Sequence, residues 1–159
     1  MNKKPSFLHF IILGLLTSGA FSCDSKRIYE EYHGLSEYSW AVADTLTFEV
    51  PPITASASPM STLRIKYNDS YDYYNIYVKY ILKDSLDSLI DNQLLDIYLF
   101  DPKTGKPLGD GFGNTYTQLD TIPFKNKGQQ MPLKVQLIQY MRSKELKGIE
   151  SIGLKIEKE

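Results

Sequence analysis

The sequence predicts an all-β fold, an antiparallel β-sandwich of the immunoglobulin-like or jelly-roll-like kind, from three observations. Apolar and polar residues alternate along six segments, as they do in strands that bury one face. Residues that favour turns separate these segments, among them the prolines at 51 and 52 and the group Asn68–Ser70. Tyrosine, which is common in strands, contributes 12 of the 159 residues. Short strands at this spacing suggest two sheets packed face to face.

The clearest alternation places five residues of the segment 74–82 on one face: Tyr74, Ile76, Val78, Tyr80 and Leu82. The same period of two predicts strands centred on Phe48, Ile65, Ile97, Val135 and Leu154. Residues 83–92 fit either a short helix or an irregular strand. Residues 141–149 predict one short helical turn near the C-terminus, which would close at Gly148.

Residues 1–22 have the layout of a secretory signal. Lys3 and Lys4 form a basic start, residues 7–16 are apolar except for His9, which interrupts the run, and small residues follow. The apolar run is shorter than the roughly 20 residues that cross a bilayer, so an export signal is favoured over a permanent transmembrane helix.

Cys23 is the only cysteine and comes directly after this signal. A lipobox places small residues before a cysteine that becomes lipid-modified, and Ser22 fits this pattern although Phe21 is bulky. The alternative is an ordinary cleaved signal that leaves a free thiol, which would be unusual in an exported protein. We therefore predict lipidation at Cys23, a lipidated N-terminus and tether over residues 23–37, and a sandwich domain over residues 38–159.

The mature domain is mildly acidic. Removing residues 1–22 takes away Lys3 and Lys4, which leaves 16 of the 18 basic residues against all 19 acidic residues. No basic stripe that would bind a phosphate backbone is present, so nucleic acid is not expected as a partner.

Candidates for catalysis or metal binding are scarce. His33 is the only histidine left after cleavage, it falls in the predicted tether, and no nucleophile motif accompanies it. Asp69 and Asp72 come nearest to a calcium loop, but the other ligand positions are missing and turn chemistry explains both residues. We predict no enzymatic activity, no metal, no cofactor and no small-molecule substrate.

Gly109, Gly111 and Gly113 superficially resemble a phosphate-binding loop. Such a loop needs a helix behind it to point backbone amides at the anion, and the residues that follow, 115–117, are strand-like. A hairpin or bulge where backbones approach closely is therefore predicted.

Five tyrosines crowd one segment: Tyr71, Tyr73, Tyr74, Tyr77 and Tyr80. Aromatic platforms on β-sandwiches can stack on sugar rings, and tyrosine also suits half-buried strands. The packing interpretation is favoured, and a surface glycan-binding lipoprotein is the alternative function. Burial of the rings would exclude a glycan site, whereas an exposed coplanar row would support it.

The C-terminal segment combines Gln139, Tyr140, Met141 and Arg142 with Leu146-Lys-Gly-Ile149 and Ile152-Gly-Leu-Lys-Ile-Glu157. This run resembles the closing segment of the gliding-motility lipoprotein GldH family of the Bacteroidetes. Other pieces agree in order over most of the mature chain, namely Cys23 after a signal, Trp40 before a strand with Phe48, Leu63 and Arg64 followed by residues 74–76, and the three glycines with Tyr116. The resemblance marks seven positions as structural: Trp40, Met141, Arg142, Leu146, Gly148, Ile149 and Gly153.

The resemblance implies a non-enzymatic accessory lipoprotein of the gliding-motility and type IX secretion machinery, with no cofactor and no catalytic residue. It implies a lipid-anchored position on the periplasmic face of the outer membrane, with other envelope proteins of that machinery as partners. Within the motif, we expect Arg142 to fork its guanidinium to carbonyls or a carboxylate and so pin the turn onto the sandwich. Partner recognition is the alternative role.

Aspartate followed by serine or threonine and an aliphatic residue occurs four times, with the hydroxyls at Thr45, Ser85, Ser88 and Thr121. The pattern resembles the O-glycosylation acceptor of exported Bacteroidetes proteins. Aspartate-threonine pairs also begin strands, so exposure in a loop decides between modification and a purely structural role.

Overall fold

The computed structural model describes residues 26–53, 59–122, 124 and 131–158. A 3-10 turn, Ser36–Tyr38, joins the first two strands, and none of the described segments contains a helix able to cross a membrane. The strands in chain order are β1 (Arg27–Gly34), β2 (Ser39–Ala41), β3 (Leu46–Val50), β4 (Met60–Asn68), β5 (Asn75–Asp84), β6 (Leu89–Tyr98), β7 (Asp110–Phe112), β8 (Thr115–Ile122), β9 (Leu133–Gln139), β10 (Glu145–Lys147) and β11 (Ile149–Glu157).

Two antiparallel sheets form the body of the fold. The first has the strand order β1-β11-β4-β8-β7, the second has the order β3-β9-β5-β6, and the short strands β2 and β10 pair with each other. Side chains from both sheets meet in one buried core that includes Phe48, Leu63, Val78, Val135 and Leu154. The predicted all-β antiparallel sandwich is confirmed.

The alternation of residue types in the six predicted strands is an alternation of burial in the structure. In β5, Ile76, Val78, Tyr80 and Leu82 are buried, and the residues between them face outward. The strands β3, β4, β9 and β11 show similar patterns. In β6, half-buried and exposed residues alternate from Asn92 onward, and Ile97 is buried. The other five strands either have three residues or bury no regular face, so no simple period marks them in the sequence.

The fold begins earlier than the sequence predicts, because β1 lies inside the segment assigned to the tether. Arg27 pairs with Glu157 and Gly34 pairs with Ser151, which makes β1 the edge strand beside β11. The prediction of a tether over residues 23–37 was therefore wrong from Arg27 onward. Its polar composition reflects an edge position rather than a flexible linker. Residues 1–22 and Cys23 lie outside the described residues.

The helical turn predicted near the C-terminus was also wrong in position. Residues 141–144 form bends, Glu145–Lys147 form strand β10, and the chain turns at Gly148 before β11. Pairing explains the difference, since Leu146 lies opposite Trp40 of β2 and an extended backbone is needed to make that contact. The one helical turn in the described residues is Ser36–Tyr38.

Residues 83–92 form the β5–β6 hairpin, so the irregular strand rather than the short helix is correct. The Asp84 carboxylate accepts hydrogen bonds from the backbone N–H groups of Leu86 (2.8 Å) and Ser88 (2.9 Å), which orders the tip. The predicted glycine hairpin is confirmed as β7–β8, in which Phe112 pairs with Thr115.

Candidate interaction surface

Exposed aromatic residues cover the outer side of the β3-β9-β5-β6 sheet. Tyr77 lies beside Asp96 of β6 on one side. On the other side, the Tyr140 N–H donates a hydrogen bond of 2.7 Å to the Tyr77 carbonyl. Leu94 and Tyr98 lie on the same face of β6. We name Tyr77, Leu94, Tyr98 and Tyr140 the tyrosine face; their side chains are 36–58% exposed. A patch of this kind is typical of a protein contact surface.

A single lysine lies in the middle of the tyrosine face. Lys79 is registered between Leu94 of β6 and Ile138 of β9. Its ammonium nitrogen lies 5.8 Å from the centre of the Tyr140 ring, within cation–π range. The surface therefore combines apolar area with one positive charge, held in place by an aromatic ring, and one negative charge, Asp96.

Strand β6 gives the tyrosine face an open edge. Among the described residues β6 pairs only with β5, and it is ten residues long. The Leu99 N–H donates to the Tyr74 carbonyl, so alternation along the strand points the N–H groups of Leu94 and Asp96 away from β5. The strand contains no proline and no lysine, two residues with which proteins block exposed edges.

A buried glutamine positions Tyr140 at the end of β9. The Gln139 side chain is fully buried; its amide donates to the Ser143 carbonyl (2.9 Å) and its oxygen accepts from the Met141 N–H (2.9 Å). The Met141 sulfur in turn accepts the Tyr77 N–H at 3.3 Å. These contacts hold residues 140–143 against β5 and place the Tyr140 ring on the surface.

The comparisons with known proteins identify the family. The model of the GldH lipoprotein family matches residues 27–156, which is most of the chain. The chain belongs to this family.

Two curated proteins of the GldH family resemble the chain over nearly its whole length. The Gliding motility lipoprotein GldH homolog of Christiangramia forsetii is 29% identical, with 99% of this chain and 98% of the relative aligned. The Gliding motility lipoprotein GldH of Flavobacterium johnsoniae is 24% identical, with 86% of this chain and 88% of the relative aligned.

Solved structures resemble the chain only weakly. Dimeric latent PorU from Porphyromonas gingivalis is 12% identical with a TM-score of 0.33, over 89% of this chain and 14% of that much longer chain. A similarity with a TM-score this low supports no conclusion about this chain.

Most residues marked by the GldH resemblance lie together around the β2–β10 pair. Trp40, Leu146 and Ile149 are buried in the core. Gly148 forms the turn into β11 with φ +82°, and its carbonyl accepts the Asn68 N–H at 2.9 Å. Gly153 lies apart, in the middle of β11, where the Tyr32 ring of β1 covers it and leaves no room for a side chain.

Arg142 does not have the pinning role expected of it. Its side chain is exposed, and within the described parts of the chain it makes no side-chain hydrogen bond or ion pair. Gln139 makes the contacts that were expected of the arginine. Glutamine as a residue type does not indicate burial. Only the position of Gln139 at the end of β9, in step with the buried residues of that strand, indicates that its side chain faces the core.

The tyrosines of residues 71–80 do not form one row. Tyr71 and Tyr80 are buried in the core, and burial raises the pKa of both phenols. Tyr73 packs edge-on against Tyr71, with ring centres 5.7 Å apart, while Tyr74 and Tyr77 are exposed. Packing accounts for two of the five rings, and the glycan-binding alternative gains no support from an ordered platform.

The four serines and threonines of the Asp-Ser/Thr pattern, Thr45, Ser85, Ser88 and Thr121, are all exposed. Thr45 precedes β3, Ser85 and Ser88 lie on the β5–β6 tip, and Thr121 lies on the outer face of β8. Exposure in a loop is what modification requires, and Thr45, Ser85 and Ser88 meet it, whereas Thr121 is exposed within a strand. Glycosylation of these residues stays a prediction.

The residues considered for catalysis and metal binding take part in packing and turns. His33 lies in β1 and packs edge-on against Phe48, with ring centres 4.5 Å apart, and its Nε2 lies 3.3 Å from Glu31. Asp69 lies in the turn after β4. Over residues 26–53, 59–122, 124 and 131–158, no three His, Cys, Asp or Glu side chains group as metal ligands.

A concave surface lies on the outer side of the other sheet and encloses about 350 Å³. Its lining includes Tyr32, Arg64 and Lys66. The charges are balanced, since Lys66 lies 3.0 Å from Glu150 and Arg64 lies 3.9 Å from Glu30. Arg64 also donates to the Tyr32 hydroxyl (3.0 Å). The Tyr32 hydroxyl donates in turn to Glu30 and, with Arg27, holds the pKa of that carboxyl below its usual value. This concavity is therefore a structural ion network rather than an anion site.

Proposed function

We infer that this protein is a non-enzymatic envelope lipoprotein that serves the gliding machinery and the associated type IX secretion apparatus as an accessory component. Membership in the GldH lipoprotein family carries this proposal, and the names of the two curated relatives support the link to gliding. The fold contributes a rigid sandwich with an open edge, which suits a component that binds other proteins.

The proposed location is the periplasmic face of the outer membrane, with Cys23 as the lipidated anchor. Each buried methylene contributes about 0.8 kcal/mol to membrane binding, and stable anchoring takes more than one acyl chain. The sandwich is then held at the membrane by its N-terminus, and its surfaces are available to proteins of the same compartment.

Replacing Cys23 with serine is expected to release the mature domain from the membrane fraction. Serine cannot form the thioether that carries the lipid, so the chain loses its covalent anchor. Cell fractionation and palmitate labelling measure the effect, with Ser22→Cys in the Cys23→Ser background as a control for position. Undiminished labelling of Cys23→Ser would sink the assignment of the anchor.

The proposed partner is an extended strand of another envelope protein of the machinery, which pairs with β6 and packs on the tyrosine face. Main-chain groups of β6 supply hydrogen bonds, and the side chains of Leu94 and Tyr98 supply apolar contacts. The β6 edge favours this mode from Asn92 to Tyr98, because natural edges that avoid pairing carry lysine, proline or bulges. This part of β6 has no lysine or proline, and the register shift near Ile90 lies at the start of the strand.

Leu94→Lys is expected to weaken partner binding about tenfold, because it places a charge where the incoming strand must pair. Leu119→Lys is the matched control, since Leu119 is similarly exposed (50% against 55%) but lies on the outer face of the other sheet. Both variants are introduced into a deletion strain of the source bacterium, and gliding and the secreted proteome are compared.

We expect Leu119→Lys to restore the wild-type behaviour and Leu94→Lys to fail while reaching the membrane in equal amount. Equal restoration by both variants would exclude the β6 edge as the docking site. Unchanged gliding and secretion on deletion of the gene would contradict the proposed function itself.

A further inference from the structure

Strand register places one set of strand ends together. Arg27 at the start of β1 pairs with Glu157, and Glu157 pairs with Met60 at the start of β4. Strand β4 rises from Met60 to Asn68, residues 69–74 turn the chain round, and β5 returns in the opposite direction. The β5–β6 tip, Ser85–Ser88, therefore lies at the same end of the sandwich as Arg27. We name this the anchor end.

The β5–β6 tip projects beyond strand β4 at the anchor end, whereas within its own sheet β9 and β3 end level with Asp84, since Asp84 pairs with Leu133 and Leu133 pairs with Val50. The Tyr67 hydroxyl donates to the Leu99 carbonyl across the two sheets (2.5 Å), and the Leu99 N–H donates to the Tyr74 carbonyl, so these residues lie at one level. From that level β4 descends only to Met60, whereas β5 continues to its tip at Ser85. With about 3.3 Å per residue and sheets inclined by roughly 30°, the tip passes Met60 by about 8 Å.

The proposed anchor lies close to this end. Only three residue steps separate Cys23 from Lys26, the first described residue, and a fully extended chain covers about 11 Å in that number. This reach is similar to the projection of the tip. If β1 stands upright above the anchor, the tip reaches the level at which Cys23 enters the membrane.

The tip and its surroundings carry exposed apolar side chains. Leu86 at the tip is 77% exposed, and three further exposed apolar residues lie at the anchor end, namely Met60, Leu89 and Met131. The Asp84 carboxylate fixes the backbone N–H of Leu86, so the tip is ordered before any contact is made. The charged residue on the tip, Asp87, is paired, since Lys134 lies 2.9 Å from it and lowers the pKa of that carboxyl.

We propose that the anchor end is a membrane-contact surface, in which Leu86 of the β5–β6 tip inserts into the interfacial layer of the lipid bilayer beside the Cys23 anchor. This inference rests on the lipid anchor of the proposed function. Insertion is apolar rather than electrostatic, because Asp87, the one charged side chain on the tip Ser85–Ser88, is paired with Lys134, so a zwitterionic bilayer suffices. A glycan on Ser85 or Ser88 and insertion of Leu86 exclude each other, since all three residues lie on one tip.

The test uses the single cysteine of the chain. The mature protein, beginning at Cys23, is coupled through its thiol to maleimide phospholipid in phosphatidylcholine vesicles that contain brominated lipid. Leu86→Trp places a fluorophore at the tip, and Phe112→Trp places one at the opposite end. Phe112 is 96% exposed and lies near Asn68 in the β7–β8 hairpin. The native Trp40 is fully buried and reports in both variants that the fold is intact.

The expected result is a loss of emission and a blue shift for Leu86→Trp on coupling, with no change for Phe112→Trp. The wild-type chain should keep the emission of Trp40. Equal quenching of both variants, or no quenching of Leu86→Trp, would overturn the inference. Chemical coupling supplies the anchor in vitro, so this outcome is independent of whether the bacterium lipidates Cys23, which palmitate labelling measures separately.

Discussion

Gly148→Ala is expected to lower the free energy of unfolding by about 3 kcal/mol, because two costs fall on the same residue. The φ angle of Gly148 is +82°, a left-handed conformation that strains any residue with a Cβ. An added Cβ would also lie 2.5 Å from the Tyr71 amide nitrogen and 2.9 Å from the Ser70 carbonyl carbon. Backbone atoms cannot rotate away, so the turn that joins β10 to β11 must shift.

Gly105→Ala separates the two costs. Gly105 has a φ of +67° but an added Cβ would have no neighbour within 4 Å, so only the strain of about 1 kcal/mol applies. Urea unfolding followed by the emission of the single Trp40 measures both variants. Equal losses for the two glycines would contradict the close approach of Gly148 to residues 70–71.

Trp40→Ala is expected to destabilise the protein by about 4 kcal/mol, the usual cost of truncating a large buried aromatic residue. Trp40 is fully buried and lies opposite Leu146 in the β2–β10 pair. Its indole N–H donates to the Asp44 carbonyl at 2.9 Å. The substitution therefore opens a cavity and leaves that carbonyl without its donor.

Trp40→Phe is the matched control, since it keeps an aromatic ring and removes the hydrogen bond. We expect a loss of about 1–2 kcal/mol. Because these variants lack the only tryptophan, unfolding is followed by circular dichroism. If Trp40→Ala lowers the free energy of unfolding by less than Trp40→Phe does, the β2–β10 pair contributes little to the core.

The parts of the fold that were predicted are those in which burial imposes a pattern. Strand β5 buries every second residue on a continuous face, so its period of two is visible in the sequence. Strand β1 is at a sheet edge and buries no regular face. Its membership depends on pairing with β11, more than 100 residues away in the chain, and no local pattern reports such a contact.

The candidate surface was predicted only in part. The tyrosine-rich segment was visible, but which rings are buried depends on the strand register, which puts Tyr80 in the core and Tyr77 outside. Tyr140, which directly follows β9, and Tyr98 of β6 lie beside Tyr77, although the three residues are far apart in the sequence. The motif residue Arg142 was expected to hold the turn through its guanidinium, whereas the uncharged Gln139 holds it.

The pairing of β1 with β11 determines how a tension on the N-terminus is distributed. A pull on Lys26 acts along the axis of β1, and the strand is registered with β11 from Arg27 to Gly34. The interstrand hydrogen bonds are then loaded together in shear, rather than opened one after another as when a strand is peeled from its end. The chain passes such a load directly into the sandwich, with β11 and β4 behind β1. A protein tethered at this point would transmit force stiffly from the bilayer to a partner bound on the β3-β9-β5-β6 sheet.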